Sequence, residues 1–304
     1  MRLPGLILAT MLTCGGASAL TAQDKPAEDK VIVSLTPASP WHISFNDGLC
    51  RLGRKFEHQA QEHMLIFEQR WPSDEFDLTA IGPALENVVT RSDTSLRFST
   101  TQVQDHKTPA FRQDIAGWGP AALLVDARLP TQASEPDDRL NSISISSPGI
   151  KLDTQLAQAT EQVGIIQDEL NIVFETGSLA DPFAVLNDCT QHVLSTWGLD
   201  PKEQNAISSK STILNENSVA RRIQESYPSQ ALRNEEEGQV NLAVIVGSDG
   251  QVTDCLILKS SGSNALDRGA CLGMLRAEFA PATNAEDESI ASYYTTKITY
   301  SLSR

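Results

Sequence analysis

Residues 238–282, GQVNLAVIVGSDGQVTDCLILKSSGSNALDRGACLGMLRAEFAPA, restrict the possible folds more than any other stretch of this 304-residue chain. Val240, Leu242, Val244 and Val246 alternate along a first apolar run. A second run sets Val252, Asp254, Leu256 and Leu258 against Thr253, Cys255 and Ile257. A period of two places each set on one face of a strand. Ser248-Asp249-Gly250 supplies turn chemistry between them, because glycine takes a positive φ at little steric cost. The two runs predict a β-hairpin. After Ser260-Ser261-Gly262 a helix is expected over 264–278, with Asn264 as its cap. Leu266, Ala270, Met274 and Ala277 form its stripe, adjoined by Cys271 and Leu275. A helix leaving the second strand must fold back over the hairpin, which can bring Cys271 against Cys255. Residues 293–302, YYTTKITYSL, supply a third strand.

The other end of the chain bears on compartment. Arg2 precedes an apolar segment over 3–12, and small residues follow at Ala17-Ser18-Ala19 and Ala22. That layout predicts a cleaved secretory signal over 1–22. The apolar run is shorter than the roughly 20 residues needed to span a bilayer. Lipidation at Cys14 fits poorly, because Thr13 stands where such signals carry Gly or Ala. Beyond residue 22 remain Cys50, Cys189, Cys255 and Cys271, an even set consistent with two disulfides in an exported protein. Four cysteines allow three pairings, and spacing alone does not select one. Chain organisation assigns one pair to each half: Cys50 with Cys189 and Cys255 with Cys271. The formal charge of −15 argues against nucleic-acid backbones and anionic lipid surfaces as partners, since both require clustered cations.

Residues 23–199 read as a β-rich domain. Trp41, Ile43 and Phe45 share one face of 41–45. Short strands are expected at 76–81, 96–100, 122–129 and 142–146, separated in places by turn clusters such as Asn46-Asp47-Gly48. Such a run suggests a sandwich or barrel. A helix closes the domain, with Asp181 as a possible N-cap, Pro182 in its first turn and Gly198 just past its end. Phe183, Leu186, Thr190, Val193 and Trp197 mark its buried face, and Cys189 lies beside that stripe. Residues 200–217 are polar and aperiodic and read as a linker to a domain over 218–304. The expected class is α+β: an N-terminal mostly-β domain closed by one helix, and a small C-terminal domain with a three-stranded antiparallel sheet and a packed helix.

The C-terminal segment resembles the C-terminal domain of TonB, the envelope protein that couples inner-membrane energy to outer-membrane receptors. The residues that carry the resemblance are Tyr227-Pro228 and Ala231, Gly238-Gln239-Val240, Asp249-Gly250-Gln251-Val252, Ser260-Ser261-Gly262, Leu266-Asp267 and Phe279-Ala280-Pro281-Ala282. Gln224 falls where the family carries a glutamine near the partner-binding segment. The resemblance implies that a receptor's extended peptide adds a strand beside the last strand, with Tyr294, Thr296, Ile298 and Tyr300 at the edge. Of the two alternating sets on that strand, one is expected to pack and the other to face solvent. Lys297 also permits the reading of an ordinary protected edge. The chain departs from energy-transducing TonB proteins in lacking an evident anchor and a Pro-rich spacer; its 15 prolines are dispersed.

Catalytic signatures are not evident. His58 and His63 are five apart, unlike an i, i+4 zinc pair, and are expected to be solvated. No nucleophile-elbow or phosphate-loop motif occurs. The sequence therefore points to a non-enzymatic periplasmic binding protein without metal or cofactor, whose partner is an outer-membrane receptor or another envelope protein segment. The alternatives are a membrane-anchored energy transducer for outer-membrane transport that retains its N-terminal segment, and a hydrolase activity in the front domain.

Overall fold

Alternating apolar positions in the front half build one large curved sheet. The computed structural model describes residues 31–99, 104–129 and 151–302; the expected strand at 142–146 and the segment 1–22 lie outside them. The strands are β1 (Val31–Pro37), β2 (His42–Asn46), β3 (Leu49–His58), β4 (Gln61–Gln69), β5 (Glu75–Ile81), β6 (Arg91–Ser99), β7 (Gln104–Ile115), β8 (Gly119–Arg128), β9 (Gln162–Gln167) and β10 (Leu170–Phe174). Their neighbour order is β1-β10-β9-β6-β7-β8-β5-β4-β3-β2. β1 also pairs back to β3 through Thr36–Glu57 and Pro37–Phe56, which closes the sheet into a barrel. β2 lies along the same side of β3 as β1, further down, opposite 49–53. All pairings are antiparallel except that of β1 with β10.

Aromatic rings fill the interior. Phe56 meets Phe174 edge-on at 5.1 Å, and Phe67 meets Phe76 at 5.2 Å and Phe183 at 5.0 Å. Phe183 belongs to the closing helix. A short helix α1 (Thr154–Gln158) precedes it, capped by Asp153. The closing helix, α2 (Ala180–Thr196), buries Phe183, Leu186, Thr190 and Val193. It begins two residues before Pro182, so Asp181 is a first-turn acid and not the cap; Leu179 holds the cap position without a side-chain bond. Cys189 joins Cys50 of β3 in a disulfide with 6.0 Å between Cα atoms. At the barrel's start Trp41 is half-buried against Phe56 and Phe67, while Ile43 and Phe45 remain exposed.

The expectation of two solvated histidines fails at His63. β3 and β4 form a hairpin, and His63 lies under the 3-10 turn Pro83–Leu85 at 2% exposure. The Ala84 N–H donates to His63 Nε2 at 3.0 Å, so Nδ1 carries the proton and faces the Gln61 carbonyl at 3.0 Å. Burial pulls its pKa below the ordinary histidine value.

The stretch between the two halves contains α3 (Pro201–Asn205), capped by Asp200, and β11 (Thr212–Ile213). Then follow α4 (Glu216–Glu225) and α5 (Ser229–Arg233). The hairpin is β12 (Gly238–Val246) and β13 (Val252–Lys259). Its turn closes with Gly250 at φ +79°, where an added Cβ would stand 2.1 Å from the Phe279 carbonyl oxygen. Strict alternation along β13 is broken. Thr253 is left over between the pairs Ile245–Asp254 and Val246–Val252, so Val252 and Cys255 reach the same core despite their odd spacing. α6 (Asn264–Met274) crosses the sheet and holds Cys271 to Cys255, with Cα atoms 5.7 Å apart. Its cap is Ser263, not Asn264: Ser263 Oγ accepts from the Leu266 N–H. It stops short of Glu278, because Phe279–Ala280 turn into strand β14, which pairs with β11. A small ribbon of β15 (Ala282–Thr283) and β16 (Ser289–Ile290) leads to β17 (Ser292–Tyr300). The sheet order is β13-β12-β17, antiparallel throughout.

The face of this sheet opposite α6 rests on the barrel. Ile245 and Tyr293 form a cluster with Leu194 and Leu199, against which Trp71, Trp197 and Leu256 pack. Polar contacts ring the cluster. Lys297 Nζ stands 2.9 Å from Asp126, and Lys259 Nζ stands 3.5 Å from Asp77.

Candidate functional site

β17 is an amphipathic strand with two covered faces. Tyr294, Thr296 and Tyr300 point to the helical side and are buried, and Ile298 is half-buried there. Tyr294 stacks edge-on with Phe279 at 5.0 Å, and Tyr300 meets Tyr227 at 5.3 Å. Burial pushes both phenols up to about 12, so they remain neutral hydroxyls. The expectation that the alternate set faces solvent holds at Thr299, which is exposed, and fails at Tyr293, Thr295 and Lys297, which the barrel covers. Tyr293 and Thr295 are buried, and Lys297 is engaged by Asp126 and Glu75 instead of guarding an edge.

The outer rim of β17 differs from its faces. Along its inner side the strand pairs with β12 from Gly238–Tyr300 to Val246–Ser292. Among the described residues no strand pairs with its other side. In an antiparallel ladder, successive residues direct their N–H and C=O groups to opposite sides. About half of the backbone groups of β17 are therefore aimed away from β12.

α4 runs beside that rim. Its Val219 and Ile223, four residues apart, turn one face toward the core, and Gln224 stays exposed. The close approach of α4 to α6 depends on Gly273, where a Cβ would fall 2.3 Å from Ile223 Cγ1. Between α4 and β17 lies a groove of about 170 Å³ whose floor includes Val219, Ile223, Met274, Tyr294 and Ile298, with Gln224 at its margin. The structure thus brings Gln224 together with Tyr294, Thr296 and Ile298, whereas Tyr300 sits beyond the groove on Tyr227. Val219, Ile223 and Met274 escaped the sequence reading as site residues. The i, i+4 spacing of the first two was the available signal.

Among the described residues no group of three or more His, Cys, Asp or Glu is arranged to hold a metal ion. No helix among them is long and apolar enough to cross a membrane. No curated protein matches the chain. Residues 223–302 match the family model described as Gram-negative bacterial TonB protein C-terminal. The matched stretch starts within α4 and takes in the hairpin, α6 and β17. The C-terminal part of this chain is therefore similar to a TonB C-terminal domain over residues 223–302, and a disulfide-linked β-barrel precedes it.

Proposed function

We propose that this chain is a non-enzymatic binding protein of the Gram-negative periplasm that takes an extended segment of an outer-membrane receptor, or of another envelope protein, as a fourth strand along β17. The single observation that carries this reading is the outer rim of β17, with which no strand pairs among the described residues, beside an apolar groove. An added strand would satisfy backbone groups of that rim, each bond worth about 0.5–1.5 kcal/mol net. Every second side chain of the guest would drop into the groove between α4 and β17, and Gln224 could bond the guest's backbone from the margin. Neither metal nor cofactor has a part in this binding. The barrel backs the strand from its other face and would supply a second contact or add specificity.

The test is a titration of the ¹⁵N-labelled full chain with receptor-derived peptides, followed by amide shifts. Shifts should concentrate on 292–300 and on α4, and N-methylation of alternate peptide amides should abolish them. An absence of shifts along 292–300 at millimolar peptide would refute the proposal.

A further inference from the structure

A second groove lies on the other side of α4, between that helix, α5 and α6, with a volume of about 610 Å³. Arg222, Arg268 and Arg276 line it, and no acidic residue does. That is unusual for a chain of net charge −15. In the barrel, Arg51, Arg91, Arg97, Arg112 and Arg128 each hold a carboxylate of this chain. Among the described residues Arg222, Arg268 and Arg276 hold none, and all three are exposed. Leu272, 58% exposed, stands on α6 between the last two. Three unpaired guanidinium forks around one apolar side chain form a surface short of anions.

We propose that this groove docks an acidic, extended segment of a protein partner. Arg268 lies on α6 and Arg276 in the turn just past its end at Met274, so six residues of helix, about 9 Å at 1.5 Å per residue, and a two-residue turn separate them. An extended peptide covers that helical stretch and turn in about four residues at roughly 3.3 Å each. Two carboxylates four residues apart, on the same face of the guest, would meet the two arginines. An apolar residue midway would lie on Leu272, and Arg222 on the facing helix would close over a carboxylate from the opposite wall. Planar guanidinium groups suit carboxylates because both oxygens can be bonded at once. A slender chain is favoured over an anionic bilayer on two grounds. A membrane surface cannot enter a concave groove, and the overall charge would repel it. The site is separate from the β17 rim and does not depend on strand addition there.

The test uses the full chain and a fluorescein-labelled peptide carrying Glu-Ser-Leu-Ser-Glu, read by fluorescence anisotropy. A Gln-Ser-Leu-Ser-Gln peptide and vesicles of equimolar phosphatidylcholine and phosphatidylglycerol serve as comparisons. The acidic peptide should bind at least tenfold more tightly than the neutral one and weaken as salt rises. Arg268→Glu with Arg276→Glu should lower its affinity at least tenfold while restoring binding to a Lys-Ser-Leu-Ser-Lys peptide. Should the charge-reversed protein fail to fold, Arg268→Gln with Arg276→Gln must still weaken binding severalfold. Equal binding of acidic and neutral peptides, undiminished binding by a folded variant, or sedimentation with the vesicles in place of peptide binding would each overturn the proposal.

Discussion

Replacing Cys255 and Cys271 together by alanine opens a loop spanning 16 residues, whereas replacing Cys50 and Cys189 opens one spanning 139. In the chain-entropy account, a cross-link stabilises mainly by restricting the unfolded chain, and the gain rises with the logarithm of the loop. The two spans correspond to about 3 and about 5 kcal/mol. Side-chain burial widens the gap. Cys50 is fully buried in the barrel, while Cys255 and Cys271 are half-buried, so losing the Cys50 sulfur adds a small void worth about 1 kcal/mol. Against a typical net stability of about 5–15 kcal/mol, the barrel variant approaches unfolding and the C-terminal variant does not. Urea unfolding of both double variants measures the difference. All four tryptophans lie before residue 200. Their fluorescence therefore reports on the barrel and its contact with the sheet, and far-ultraviolet circular dichroism reports on both domains. The barrel pair should cost about 3 kcal/mol more than the C-terminal pair, about 2 from loop closure and about 1 from the void. Equal costs within about 0.5 kcal/mol, or the reverse order, would refute the loop-closure reasoning.

Gly250→Ala forces a side chain into the left-handed region and against the Phe279 carbonyl. A loss of about 2 kcal/mol or more is expected in denaturant unfolding, since the backbone term alone is about 1–2 kcal/mol. His63 predicts a pH dependence. Burial lowers its pKa in the fold, so the unfolded chain binds the extra proton first. Stability should be complete above the ordinary value of 6.5 and should decline as pH falls through 6.5 toward the folded value. His106 is also lowered by burial and contributes in the same direction. His63→Gln should flatten the slope of unfolding free energy between pH 7 and 5 by at most one proton's worth, about 1.4 kcal/mol per pH unit. An unchanged slope would show that His63 takes up its proton equally in the folded and unfolded chain, which would refute the lowered value.

What the sequence disclosed follows from what a local period can encode. The hairpin was legible because Val240, Leu242, Val244 and Val246 keep strict parity, and Gly250 marks the reversal. The second strand was legible in existence and not in register, because the unpaired Thr253 changes which side Val252 faces. The staves of the barrel could be glimpsed one at a time. Their closure depends on residues 31–35 meeting 170–174 in parallel, and no local pattern records that. His63 was misjudged although a signal existed: His63, Leu65, Phe67 and Gln69 alternate on one side of β4, and all are buried. At the rim of β17, the residues were readable from family likeness. The burial of Tyr293 and Thr295 was not, because it requires a second domain to cover a face that alternation alone assigns to water.

The connectivity of the sulfur bridges has a consequence for how the molecule is made. Counted from Cys50 onward, each bridge joins one cysteine to the next in line, with no thiol intervening and no crossing of spans. An oxidant that meets the thiols in the order they emerge from a ribosome or a translocation pore, coupling each to its immediate successor, arrives directly at the final arrangement. Oxidation in that order would need no reshuffling catalyst.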